Sequence, residues 1–229
     1  MNTRGLIDQL LQSGGNLMQN PAANQAKSAA TDKVSQLSGL LGGQGKGLMA
    51  GGALGMLLGN KKLRKTGGKV AVYGGLAALG VVAYKAYSNY QKNQTTAPQG
   101  TPETVDRLPA PQAEQHSHAI LRAIIGAAKA DGHIDDKERE LIDGEIQKLS
   151  SDAELTRWFD EELRKPLDPA DIARAATTPE MAAEMYLASL LVVDEQNFME
   201  KAYLTELARQ LKLDPSLVQE LETQVLEMR

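Results

Sequence analysis

The sequence contains no cysteine, and few of its side chains are aromatic. Without cysteine the chain forms no disulfide, performs no thiol chemistry and binds no zinc through sulfur. Aromatic residues make up 4% of the chain, so we expect a core built mostly from Leu, Ile, Val, Ala and Met. Residues 1–16 lack the basic and apolar stretches of a secretory signal peptide, and none is expected.

Acidic residues are scarce in one half of the chain only. Residues 1–113 carry a net charge of +8 and residues 114–229 a net charge of −12, which together give the total of −4. A basic, glycine-rich, apolar segment is typical of membrane association. An acidic, helix-rich segment is typical of an interaction or ion-binding domain.

Four regions follow from these changes in composition. Residues 1–38 are predicted to form a short amphipathic helix followed by a partly disordered stretch, and residues 39–90 are predicted to form a glycine-rich membrane segment. Residues 91–113 are proline-rich and polar, which predicts a stiff linker. Residues 114–229 are predicted to form the acidic helical domain.

Glycine recurs at every fourth position between residues 39 and 59. On a helix this spacing places the glycines on one face, where another backbone can approach closely. A flexible linker is the alternative, but Leu and Met fill the intervening positions. The predicted membrane or oligomer interface consists of Gly43, Gly47, Gly51, Gly55 and Gly59.

Residues 70–84 carry no charge and follow a cluster of basic residues at 61–69. Extended to Tyr90, this stretch predicts a single membrane span over residues 70–90, with Lys85 reaching the headgroups. A helix buried in protein is the alternative. The chain is thus predicted in a bacterial inner membrane, with the acidic domain outside the cytoplasm by the positive-inside rule. A hairpin would reverse that orientation.

Helical signals dominate the acidic region, and no strand-period pattern competes with them. The sequence predicts an all-α bundle with helices near 114–130, 136–149, 152–164, 169–176, 179–193, 197–212 and 215–227. Asp168, Thr178 and Asp214 each precede a proline, which is the pattern of a helix N-cap followed by proline at the first helical position. The run Met181–Val193 is nearly continuously apolar, which predicts a central buried helix.

Residues 123–142 and 187–207 form an internal repeat of an apolar helix, an acidic turn and the start of another helix. If the two turns converge, their carboxylates offer the hard oxygen ligands that Ca²⁺ or Mg²⁺ prefers. Helix capping is the alternative role for these side chains, and it explains them without a metal. The predicted metal ligands are Asp131, Asp135, Glu138, Asp194 and Glu200.

The motif ADGHIDDKERELI, the second acidic turn and the pattern from Leu204 to Val218 resemble the TerB-like fold of tellurite-resistance proteins. The whole chain resembles the YebE-type inner-membrane proteins, a group of unknown function. This resemblance implies an all-helical domain whose two repeats supply acidic residues to a divalent cation. It also implies a role in membrane stress or complex assembly, and no catalytic reaction.

Motifs of catalysis are missing: the sequence has no phosphate-binding loop, no G-x-S-x-G and no visible nucleophile–base pair. We therefore predict a non-enzymatic, membrane-anchored interaction or sensing protein with lipid and protein partners and no nucleic acid. The alternative is a glycine-zipper oligomer or pore capped by the acidic domain. His116 and His118 are a weaker candidate for a soft-metal site, since neighbours beside a proline-rich linker are usually solvated. Trp158 and Phe159 are predicted to anchor the core.

Overall fold

In the computed structural model, the described residues are 3–5, 7, 75–93, 100–130, 152–193 and 198–227. They form helices and connecting segments, and none of them lies in a strand. The predicted all-α class is therefore confirmed. The helices with defined bounds are α1 (Gly75–Asn93), α2 (Ala110–Ala128), α3 (Ala153–Arg164), α4 (Pro169–Ala173), α5 (Pro179–Val192), α6 (Phe198–Gln210) and α7 (Pro215–Glu227).

The predicted capping residues begin their helices as expected. The Asp168 carboxylate accepts a hydrogen bond from the backbone N–H of Ala170, and the Thr178 hydroxyl accepts one from that of Met181. The Asp214 carboxylate likewise accepts from the backbone N–H of Ser216. Each cap satisfies an amide that the first helical turn leaves without a partner inside the helix. The predicted helix near 136–149 lies outside the described residues.

Helix α5 is the central element of the bundle, as its continuous apolar sequence predicts. Every side chain from Met181 to Leu190 is buried, and the helix packs against α1, α2, α6 and α7. A helix that is apolar on all sides must be covered on all sides, so four neighbours surround it. Further contacts join α1 to α7, α4 to α2 and α6, and α2 to α3 and α6.

Helix α1 lies in the stretch that the sequence assigns to the membrane, yet it packs against α5 and α7. Its protein-covered side consists of Leu76, Leu79, Ala83, Ala86 and Tyr87. These side chains are covered by protein, as in the alternative to the membrane span, a helix buried in protein. The bundle thus includes a helix that lies before the predicted domain start at residue 114. Among the described residues, no helix combines the length and apolarity needed to cross a bilayer.

The second half of the predicted linker also belongs to the bundle. Thr104 and Val105 are almost completely buried, and α2 begins at Ala110, four residues before its predicted start. Proline fits the first turn of a helix, so Pro111 opens α2 and does not extend the linker. The glycines predicted as an oligomer interface, at 43, 47, 51, 55 and 59, lie outside the described residues.

Candidate functional site

A carboxylate and an imidazole meet in the interior of the bundle. Glu184 lies on α5 with 0% of its surface exposed, and His116 lies on α2 with 4% exposed. Glu184 Oε2 is 2.5 Å from His116 Nδ1. Burying a charge is costly unless a partner compensates it, so this contact allows the central helix to contain a glutamate.

The second oxygen of Glu184 holds the segment that leads into α2. The backbone N–H of Val105 donates to Glu184 Oε1 at 2.6 Å. The Thr104 hydroxyl donates to Asp106 Oδ1 at 2.6 Å, and Arg107 lies 3.7 Å above the ring of Tyr84 on α1. One buried carboxylate therefore joins α5 to α2 and to the segment that passes over α1.

Removal from water raises the pKa of Glu184, while the hydrogen bonds from His116 and Val105 oppose the rise. Asp106 adds a further increase through charge repulsion. The protonated form of this buried carboxyl group is therefore favoured more than it is for a glutamate in water. The sequence signal for it is plain, because Glu184 is the one charged residue in the apolar run from Met181 to Val193.

Two contacts between α2 and α5 show that these helices run in the same direction. His116 meets Glu184 near the start of both helices, and the Ser189 hydroxyl donates to the carbonyl of Ala123 farther along both. Their carboxyl ends therefore lie at the same end of the bundle. The chain continues from these ends into the two predicted acidic turns, which begin at Asp131 and Asp194.

Helix α6 begins at that same end, because only residues 194–197 separate it from Val193. Its first turn carries Glu200, a predicted metal ligand, which is 7% exposed. The other four predicted ligands lie outside the described residues. Among the residues that the structure does describe, no group of three or more His, Asp or Glu side chains is placed to hold a metal ion. The metal site stays a prediction.

The two neighbouring histidines point to different surroundings, which separates them as ligands. His116 faces Glu184, whereas the His118 ring packs against Trp158 with 4.1 Å between ring centroids and an angle of 46° between the ring planes. The expectation that both are solvated is wrong for His116, which lies on the face of α2 that packs against α5. Phe159 is buried and Trp158 packs partly buried against the core, as predicted.

Charged side chains join α2, α3 and α4 beside the contact between His118 and Trp158. Arg122 Nε donates to Glu162 Oε2 at 3.2 Å, and the Arg122 guanidinium also pairs with Asp171. Lys165 pairs with Glu162, which is otherwise almost fully buried. Each charge in this group has an opposite partner, so the cluster connects three helices without leaving a buried charge unpaired.

Comparisons with known proteins found a relative and a family, and the description of neither states a function. A relative in Yersinia enterocolitica, named "Uncharacterized protein in ampR 5'region", is 31% identical over 116 residues, which is 51% of this chain and 84% of the relative. No solved structure matches the chain. The family model described as "Protein of unknown function (DUF533)" matches residues 43–225. Since this match covers most of the sequence, the chain belongs to the DUF533 family.

Proposed function

We propose that this DUF533 protein is a non-enzymatic interaction or sensing protein whose acidic bundle end binds a divalent cation or a basic partner. The parallel packing of α2 and α5 carries the proposal. It brings the ends of α2 and α5, the helices that precede the two acidic turns in the sequence, to one end of the bundle, and α6 carries the buried carboxylate of Glu200 in its first turn. Converging carboxylates are ligands suited to Ca²⁺ or Mg²⁺.

The resemblance to TerB-like proteins supports the biological side of the proposal. We place the protein in the response to envelope stress or to metal and tellurite stress. In that role the bundle acts through what it binds and changes no substrate. The basic, apolar stretch before α1 supports attachment to a bacterial inner membrane.

Thermal unfolding of the full chain tests the cation proposal. Saturating Ca²⁺ or Mg²⁺ is expected to raise the melting temperature, because a ligand at about 100 times its dissociation constant stabilises the folded state by about 2.7 kcal/mol. A variant in which four predicted ligands are neutralised is expected to lose this response. Its substitutions are Asp131→Asn, Glu138→Gln, Asp194→Asn and Glu200→Gln.

A charge-matched variant separates specific binding from a general effect of charge. It neutralises four carboxylates elsewhere on the bundle, through Glu103→Gln, Glu154→Gln, Glu161→Gln and Glu180→Gln. This control should respond to the cation as the natural chain does. An unchanged melting temperature of the natural chain would refute the cation version and leave a basic protein partner as the remaining version.

The glycine spacing favours a second candidate, in which the glycine ladder assembles a membrane oligomer or pore and the helical bundle covers it. Replacing Gly47, Gly51 and Gly55 with Leu fills the predicted groove and should abolish chemical crosslinking between copies in membranes. Replacing the intervening Leu48 and Leu54 with Ala is the control. Crosslinking that survives the glycine substitutions would exclude this candidate.

A further inference from the structure

Helix α1 has a sequence suited to lipid and a position inside a protein bundle. It includes residues 75–84 of the uncharged stretch at 70–84, which follows the basic cluster at 61–69. The same helix covers one side of α5 and α7 with the side chains of Leu76, Leu79 and Ala83. Either environment removes these apolar groups from water.

The polar contacts that fasten α1 to α7 lie in the second half of the helix. Lys85 Nζ is 3.0 Å from Glu227 Oε2, and both side chains are more than half exposed. Asn89 Nδ2 donates to Glu220 Oε1 at 2.8 Å. An exposed ion pair contributes little to stability. For Lys85, an anionic lipid headgroup offers the same charge as Glu227.

We propose that α1 exchanges between two binding surfaces: the face of α5 and α7, and an anionic lipid surface. The proposal rests on the membrane attachment proposed above and adds a change within the bundle. When α1 binds lipid, it uncovers the face of α7 that it shields in the closed bundle. Membrane contact is thereby coupled to the exposure of a protein surface.

Gln224 is the natural place to detect this exposure. Glu220, Gln224 and Glu227 are spaced four and three residues apart, so they lie on one face of α7. The outer two contact α1, and Gln224 between them is 5% exposed. The chain lacks cysteine, so Gln224→Cys introduces a single thiol whose alkylation by a water-soluble maleimide reports whether α1 is in place.

The experiment measures this alkylation rate in the full chain with no lipid, with phosphatidylcholine vesicles and with vesicles containing phosphatidylglycerol. We expect the anionic vesicles alone to accelerate alkylation by about tenfold or more, which corresponds to a shift of about 1.4 kcal/mol between the two states. Ser189→Cys is the control, since Ser189 lies buried between α5 and α2. Its thiol should stay protected throughout.

Flotation of the same samples distinguishes failure of this proposal from failure of membrane attachment. Chains that float with anionic vesicles while the thiol at 224 stays protected would overturn the exchange and leave attachment intact. Chains that do not float would overturn both. Equal acceleration at positions 224 and 189 would mean that lipid unfolds the bundle, which also overturns the exchange.

A covalent lock provides a second test that does not depend on the new thiol. Carbodiimide joins an amine and a carboxylate that are in contact, so it can form an amide between Lys85 and Glu227. The locked protein should lose the lipid response, measured as binding of a dye that detects exposed apolar surface. Lys85→Arg keeps the charge but forms no such amide, and should retain the response after treatment. A response that persists in the locked protein would refute the exchange.

Discussion

At the scale of single residues, Glu184 is the side chain that departs most from its surroundings. It is fully buried on a helix whose other buried residues are mostly apolar, and its two oxygens bind groups from two other parts of the chain. A buried carboxylate stabilises a fold less than apolar packing does, but it fixes which groups come together. Here those groups are the imidazole of His116 and the backbone of Val105.

The raised pKa of Glu184 gives a prediction for the pH dependence of stability. Burial raises the pKa in the folded protein above its ordinary value of 4.5. The folded state therefore binds the proton more tightly than the unfolded state, and this group's contribution to the free energy of unfolding falls as pH rises from 4.5 through the folded pKa. Glu184→Gln removes that titration.

The measurement is the difference in melting temperature between Glu184→Gln and the natural chain as a function of pH. We expect the melting temperature of Glu184→Gln to increase relative to that of the natural chain as pH rises from 4.5 through the folded pKa. Glu161→Gln, on the exposed side of α3, is the control that removes a carboxylate but leaves the buried contact with His116 in place. Parallel curves for Glu184→Gln and the natural chain would contradict the assignment of a raised pKa.

The sequence contains a signal for Glu184, which is the one charged residue in the run from Met181 to Val193, but it contains none for the partner of that residue. A lone charge in a buried apolar helix requires a compensating partner, and this requirement follows from the sequence alone. The partner lies on another helix, 68 residues away. His116 appeared to border a linker, because the true start of α2 depends on packing that Pro109 and Pro111 do not specify alone.

At the scale of elements, the end of α6 contains a residue in an unfavourable backbone conformation. Lys212 has φ of 55°, in the left-handed region that favours glycine. The N–H of Leu213 donates to the carbonyl of Ala208, and that of Lys212 to the carbonyl of Arg209. This pair of bonds is the Schellman motif, in which glycine is the usual residue at the position of Lys212.

Lys212→Gly is therefore expected to stabilise the protein. The left-handed conformation costs an ordinary residue about 1–2 kcal/mol, and glycine avoids this cost. The greater freedom of glycine in the unfolded chain opposes the gain by about 0.5–1 kcal/mol. The net increase in the free energy of unfolding, measured with urea, should be about 0.5–1 kcal/mol. Lys201→Gly is the matched control inside α6, and there glycine should destabilise by about 1 kcal/mol. A loss of stability at both positions would contradict the interpretation.

Helix boundaries in the acidic region were largely predictable because local chemistry sets them. Asp168, Thr178 and Asp214 are capping residues followed by proline, and the structure uses all three. The Schellman end of α6 gave no such signal, because lysine occupies the position where glycine would have marked it. Local rules therefore located the starts of these helices better than their ends.

At the scale of the whole molecule, the extent of the bundle depends on α1. Composition changes around residue 114, but the contacts of α5 and α7 extend back to α1. A change in charge and proline content marks a boundary only where few contacts cross it. The apolar character of α1 was predictable, but the surface that covers it was not, because lipid and a protein interior both favour apolar side chains.

A truncation experiment tests the importance of α1 for the bundle. A chain that starts at residue 100 lacks α1 and exposes the side of α5 and α7 that α1 covers. Burial of each large apolar side chain, such as Leu76 and Leu79, contributes about 1.5–3 kcal/mol. Their loss removes a large part of a typical stability of about 5–15 kcal/mol.

The shorter chain is expected to melt earlier and less cooperatively, and to bind a dye specific for apolar surface. The comparison is a chain that starts at residue 70. It retains α1, and residues 1–69 are missing from both chains. Equal melting curves and equal dye binding for the two chains would show that α1 contributes nothing to the bundle.

The contact between the rings of His118 and Trp158 gives the molecule an intrinsic optical signal. Trp158 is the chain's sole tryptophan, so its fluorescence reports on the junction of α2 and α3 alone. A protonated imidazole in contact with an indole quenches its emission, whereas a neutral imidazole does so weakly. Burial, followed by the charge of Arg122, lowers the pKa of His118 below 6.5. The emission should therefore stay bright through neutral pH and dim only in more acidic solution.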